Sequence, residues 1–256
     1  IPIDREYLAN ELGFSNISSN SIDGVSSRDH ILDILYSCSS IMINLSRISE
    51  ELIIWNSEEF DFVNIPDEFT TGSSIMPQKR NPDYLELIRG KTGHSLGQLV
   101  NLATSLKGLT FTYNRDLQED RKGAMDSIEI VTQSLEVIKN LFSKISFNEE
   151  KMIDSANKSN ILATDFADYL ANKKIPYREA YKIIKDISLN LKGKYIHELS
   201  LDELRQFSKL FEKDALDISL RNSIENRNST GGTSTNSVRN QIIEAKNFLK
   251  KNKNAK

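Results

Sequence analysis

Residues 70–83, TTGSSIMPQKRNPD, gather the side chains in this 256-residue chain that could do chemistry together. Ser73 and Ser74 offer hydroxyls, Lys79 and Arg80 offer cations, and Asn81 offers amide donors. Gly72 permits a backbone conformation closed to other residues. Asn81 suits a helix N-cap and Pro82 the first helical position. Free N–H groups and the helix dipole favour anions at such a place. The set points to a carboxylate or phosphate ligand. The alternative reading of the same composition is a capped surface loop with ordinary basic residues. Three of the five prolines, Pro66, Pro77 and Pro82, fall within this stretch or just before it.

Long helices must position the loop. Before it, apolar residues recur at Ile31, Ile34/Leu35, Cys38, Ile41/Met42, Leu45, Ile48 and Leu52. Steps of three and four over about seven turns predict one continuous helix, with Ser26 and Asp29 at capping-box spacing. After the loop, Leu85, Ile88, Leu96, Leu99, Ala103 and Leu106 predict a second helix, ending near Gly108. Gly90, Gly93 and Gly97 share one face of it, which predicts close approach of another backbone, with incidental glycines on a solvated face as the alternative. Met125, Ile128, Val131, Leu135, Ile138, Phe142 and Ile145 predict a third. Shorter helical segments follow over 149–157, 161–173, 177–192, 201–221 in pieces and 236–250, and the tail KKNKNAK is expected to fray. No strong strand pattern or repeat is present. The expected fold is all-α: a long-helix bundle over residues 1–150, with the loop at 70–83, then a smaller helical domain over 151–256.

Composition excludes several function classes. Hydrophobic content of 38% and charged content of 27% predict a soluble protein with a sizeable core. A net charge of −3 gives no nucleic-acid footprint. No run of 18 apolar residues predicts a membrane span, and no signal peptide is visible. The single cysteine, Cys38, lies among Ile34, Leu35, Ile41 and Met42, as a core residue would, and fits a reducing compartment, the cytoplasm. RGKTG at 89–93 imitates the end of a P-loop, but Leu85 stands where that motif needs glycine. The chain opens without methionine, which suggests a piece of something longer.

GSSIMPQKRNPD closely resembles the signature loop of the fumarase/aspartase superfamily. The flanking segments PIDREYLANELGF, NSIDGVSSRDHI, EELIIWNSEEFDFV, ELIRGKTG, LKGLTFTYNRDLQED, ATDFADYL, IPYREAYKII and ENRNSTGGTSTNSVRNQI are similar to the argininosuccinate lyase family in particular. That resemblance covers nearly the whole chain. It implies reversible β-elimination of argininosuccinate to arginine and fumarate, with no metal and no cofactor. It also implies a homotetramer whose sites draw on three subunits, with no nucleic-acid or membrane partner. Family chains are considerably longer, so this one looks like their C-terminal half or slightly more. The part not matched would hold a TxxQxAQP-type motif and a histidine. His30, His94 and His197 sit in no such motif and read as structural or surface residues. The chain by itself is therefore expected to be inactive.

By resemblance Ser73 is the catalytic base. An alkoxide-like group starts from a pKa far above the neutral range. Lys79 alone cannot lower it far enough, so loop N–H groups around Ser74, Ile75 and Met76 must contribute. Lys79 and Asn81 match contacts to the substrate carboxylate, and Glu86 matches the acid that pairs with the family's histidine. Glu86 shares the glycine face and is expected to point into the bundle; an exposed first-turn acid is the alternative. Tyr113, Gln118 and Arg121 match contacts to the arginine part of the substrate. The family usually has lysine at 121 and more often aspartate where Ser27 stands, while Arg28 matches. Two alternatives remain at this point: a non-catalytic oligomer of the same fold, and a sister lyase with another amine leaving group.

Overall fold

A computed structural model describes residues 2–253, and its chain divides into two compact units, Ile1–Asn148 and Glu149–Lys256. The first unit begins with α1 (Arg5–Glu11) and α2 (Ser21–Ser26), capped by Asp4 and Asn20, whose side chains accept backbone N–H bonds. α3 (Asp29–Trp55) is the longest helix described. Four two-residue strands follow the sequence order β1 (Val63–Asn64), β2 (Thr71–Gly72), β3 (Arg80–Asn81) and, after α4 (Asp83–Leu106) and α5 (Asp120–Phe142), β4 (Ser146–Phe147). β1 pairs antiparallel with β4, and β2 with β3. These ladders are too short to leave an alternating pattern in the sequence.

α3, α4 and α5 pack on one another through Cys38, Met42, Leu45, Leu52, Leu85, Ile88, Ile130, Val131, Ile138 and Leu141. Small residues let them approach. Ser39 Oγ donates to Leu35 O at 2.8 Å and to Ser95 O on α4 at 3.3 Å, and Thr92 Oγ1 donates to Met42 O across the same contact. By length and composition alone α3 could cross a membrane. Its buried side is nonetheless committed to α4 and α5, as in the core helix of a bundle. Cys38 lies in this core, where burial pushes its thiol up and disfavours the reactive thiolate.

Several local expectations change. Ser26 ends α2, and α3 starts at Asp29 with Arg28 as its cap residue, so the expected capping box is not formed. Asn81 is no N-cap: its backbone pairs with Thr71 in the ladder, and Pro82 stands before α4. Among the described residues the glycine face of α4 meets no second backbone, because a Cβ at Gly90, Gly93 or Gly97 would find nothing within 4 Å. The close approach occurs instead at buried Gly123 of α5, where a Cβ would lie 2.6 Å from Gln98 Oε1 of α4. Each apolar stripe is buried only in part. Ile34, Ile41 and Ile48 on α3, Leu96 on α4, and Met125, Ile128, Leu135 and Phe142 on α5 are exposed.

The second unit contains α6 (Glu149–Asn157), α7 (Ala163–Asn172), α8 (Tyr177–Leu189), α9 (Leu201–Arg205), α10 (Leu220–Asn226) and α11 (Thr235–Lys253). α11 runs into the tail expected to fray; residues 254–256 lie outside the described ones. The core gathers Phe166, Leu170, Ile184, Ile187, Ile196, Leu204 and Phe211. Phe211 is fully buried, meets Phe166 edge-on at 6.4 Å and stacks on Tyr169 at 5.9 Å. Lys173 lies over the Tyr169 ring and pairs with Glu212 and Asp214, and these carboxylates raise its pKa. α9 carries a full capping box between Ser200 and Glu203, and the Lys194 ammonium helps hold the Glu203 carboxyl down at about 2. Phe211→Ala should destabilise this unit by about 3–5 kcal/mol, read as an earlier urea midpoint.

Candidate functional site

The 70–83 loop folds as a β-hairpin rather than as an irregular excursion. Thr71 and Gly72 pair with Asn81 and Arg80. Gly72 is not among the positive-φ residues, so the expected unusual backbone is not its reason. Its value is room: a Cβ there would lie 3.2 Å from Arg80 Nη1. Arg80 in turn pairs with Asp67 at 3.4 Å, and the Thr71 hydroxyl donates to the Asp83 carboxylate at the start of α4. The hairpin stem is thus tied to the 67–69 turn and to α4.

Each proline near the loop has a local task. Pro66 precedes the 3-10 turn Asp67–Phe69 with φ −59°. Pro77 is the second residue of a turn closed by Lys79 N–H donating to Met76 O at 3.1 Å, the position that favours proline. Pro82 precedes α4, where a missing N–H costs nothing. Between stem and turn, Ser73 Oγ accepts N–H bonds from Ile75 at 3.2 Å and from Met76 at 3.1 Å. Two donors aimed at one hydroxyl oxygen favour negative charge on it.

Around this oxygen the loop is open. Ser73 is half-buried; Ser74, Ile75, Met76 and Lys79 are exposed, and Asn81 is half-buried. The Lys79 ammonium has no hydrogen bond or ion pair among the described residues. Glu86 is exposed on the face of α4 shared with the open glycines, so it points away from the three-helix core, contrary to expectation. The physical reason is register: Leu85 and Ile88 take the core side of that turn.

The second group of candidates lies after α4. Thr112 has φ +84°, and the chain then enters a 3-10 turn over Arg115–Glu119 held by buried Leu117. Tyr113, Gln118 and Arg121 are exposed along this segment. Arg28 faces a different situation. Its Nε donates to Asp120 Oδ2 at 2.5 Å, and Nη1 donates to Val25 O at 3.1 Å and Ser27 O at 2.8 Å. It also borders a cavity of about 200 Å³ with Ser26, Ser27, Thr110, Phe111 and Thr112. Among the described residues, no side-chain hydrogen bond joins the hairpin candidates to Arg28, Tyr113, Gln118 or Arg121. Sequence reasoning passed over Asp67, Asp83 and Asp120, which hold the candidates in place. Asp83 and Asp120 each carried a signal, as an acid where a helix begins. No group of three or more possible metal ligands occurs among the described residues.

Comparison with known proteins places this geometry. A lyase family model matches residues 1–97, and an argininosuccinate lyase C-terminal model matches residues 160–225. The argininosuccinate lyase of Bacillus cereus (strain B4264) is 45% identical over 252 residues, covering 97% of this chain and 54% of that protein. The argininosuccinate lyase of Caldicellulosiruptor bescii is 46% identical over 252 residues, with the same two coverages. The chain therefore spans about half the length of the curated relatives it matches. A crystal structure of EDDS lyase in complex with formate superposes with a TM-score of 0.86 at 27% identity, covering 98% of this chain and 52% of the other. Class II fumarase from Schistosoma mansoni shares the fold alone, with a TM-score of 0.65 at 18% identity over 82% of this chain and 45% of its own.

One consequence of the hairpin geometry is local and measurable in this chain. Ser73→Ala removes the acceptor for two N–H groups, so amide exchange at Ile75 and Met76 should accelerate severalfold by NMR, while exchange in the α3 core stays unchanged. Signature hairpin, flanking segments and relatives all agree: the chain belongs to the argininosuccinate lyase family, within the fumarase/aspartase superfamily.

Proposed function

We propose that the protein carrying this chain is a carbon–nitrogen lyase that eliminates fumarate from argininosuccinate and releases arginine. The observation that carries this reading is the Ser73 oxygen held by two backbone N–H donors in a hairpin that also presents Lys79. In the forward direction Ser73, as alkoxide, removes the proton next to a succinyl carboxylate. The electron pair forms an aci-carboxylate, a dianion held by Lys79 and Asn81. That pair then forms the double bond of fumarate as the C–N bond breaks, and an acid protonates the departing guanidinium nitrogen. Glu86, exposed on α4, is the proposed partner of a histidine supplied by another segment.

The energetics close within a few kcal/mol. Making the hydroxyl basic near neutral pH requires about 10 kcal/mol. Two N–H bonds to a charged oxygen supply about 3–6 kcal/mol. A cation drawn to ~4 Å at an effective dielectric of ~20 supplies about 4 kcal/mol. The second requirement explains why the hairpin must close over substrate, bringing Lys79 in and excluding water. Ser74 and the Met76 backbone line the same turn and are assigned to the fumarate end. Tyr113, Gln118 and Arg121 are assigned to the arginine end, with Arg28 behind them. Arg121, in place of lysine, keeps the charge in a wider fork.

We assign residues 1–150 to the family's central helical domain and residues 151–256 to its C-terminal domain. The outward apolar residues of α3, α4 and α5 support assembly of copies into a homotetramer, since contiguous exposed apolar surface marks an interaction site. The buried reduced cysteine supports a cytoplasmic location. Fumarate release, followed by ultraviolet absorbance, tests the reading. The protein should turn over argininosuccinate in preference to other succinyl amines, and Ser73→Ala should reduce kcat by about 10²–10⁴-fold. Equal rates in Ser73→Ala, or preference for another amine, would contradict it.

A further inference from the structure

Asp120 is nine-tenths buried, yet it carries a carboxylate at the first position of α5. Oδ2 takes the Arg28 Nε–H, and Oδ1 has neither solvent nor a hydrogen-bond partner among the described residues. Its stability there comes from two sources. The positive end of α5 favours an anion in the first turn, and Arg28 lies against it with only 20% of its side chain exposed. Arg28 also donates to Val25 O and Ser27 O, at the C-terminal end of α2, where carbonyls lack helical partners. The pair therefore joins three elements that are 92 residues apart at their charged contact.

Two sets of site candidates hang on this junction. Gln118 precedes Asp120 by two residues and Arg121 follows it directly. Arg28 borders a cavity that Thr110, Phe111 and Thr112, just before Tyr113, also line. That connecting segment includes a non-glycine residue at positive φ and a 3-10 turn, so few regular hydrogen bonds fix it. The Arg28–Asp120 contact supplies a tether that these local bonds do not.

We propose that Asp120 is a positioning residue: through the Arg28 guanidinium it sets the 113–121 segment, and with it the affinity for the amine part of the substrate. The proposal rests on the elimination reading above. Asp120 touches no reacting atom and leaves the proton transfer at Ser73 untouched. Losing its charge leaves the Arg28 cation buried without its counter-ion, free to take other acceptors and release the segment.

The test uses steady-state kinetics of argininosuccinate cleavage. Asp120→Asn, nearly isosteric, should raise KM about tenfold or more while kcat stays within about threefold. The double variant Arg28→Gln/Asp120→Asn should be no worse than the poorer single variant, because the two act as one unit. An unchanged KM with only a lowered melting midpoint would reduce Asp120 to a structural role and overturn the proposal. So would multiplicative effects in the double variant, or a loss confined to kcat. If Asp120→Asn does not fold, Arg28→Lys keeps the charge but has no Nε–H to give; a normal KM there overturns the proposal as well. The kinetics are those of the full-length protein that carries this chain, and absence of fumarate release from its unsubstituted form would instead remove the elimination reading itself.

Discussion

The close contact between α3 and α4 is the constraint on which the first unit depends. Ser39 donates to the Ser95 carbonyl and Thr92 to the Met42 carbonyl, so hydroxyls bridge two backbones in an otherwise apolar interface. Larger side chains there would force the helices apart. With α4 held this way, Asp83 has a fixed position, and the Thr71 hydroxyl bonds to it. The hairpin thus begins and ends on a rigid base although its tip is open. α5 is set by the same packing, and its first residue anchors Arg28 at the start of α3.

This arrangement separates stiffness from chemistry. Ser73 receives its two donors from residues two and three positions onward, so its environment is built within the loop and travels with it. The turn at Pro77 and the ladder fix that local geometry within the hairpin. Lys79 is different, because its charge is useful only when brought near another group. In the elimination proposed above, charge develops only after substrate enters, so an oxygen preset by its own loop and a cation without an ion pair among the described residues suit it.

Outward apolar residues leave part of the apolar surface of the bundle uncovered within this chain. Ile34, Ile41 and Ile48 recur every seven residues on α3, while Leu35, Met42 and Ser49 follow the same spacing on the buried side. One helix thereby carries two apolar faces, one satisfied within the chain and one turned outward. The open glycines and Glu86 of α4 lie on an exposed face too. In the assembly proposed above, burial of both faces is shared between copies.

Much of this was legible in the residues alone. The apolar recurrences of α3, α4 and α5 set helix type and approximate length, because a period of three to four residues is a local property. The loop's prolines and glycine marked a break between α3 and α4, since each acts on its own backbone. Partner choice was not legible. Nothing in the spacing distinguishes Ile34 from Leu35, both of which lie on the apolar arc, and packing against α4 and α5 chose one. Asn81 had the chemistry of a cap, but pairing with Thr71 took its backbone. Glu86 and the glycines shared a face by arithmetic, yet which way that face turned depended on where Leu85 and Ile88 found their core. The link between Arg28 and Asp120 spans most of the first unit, and only the folded chain brings such distant charges within reach of each other.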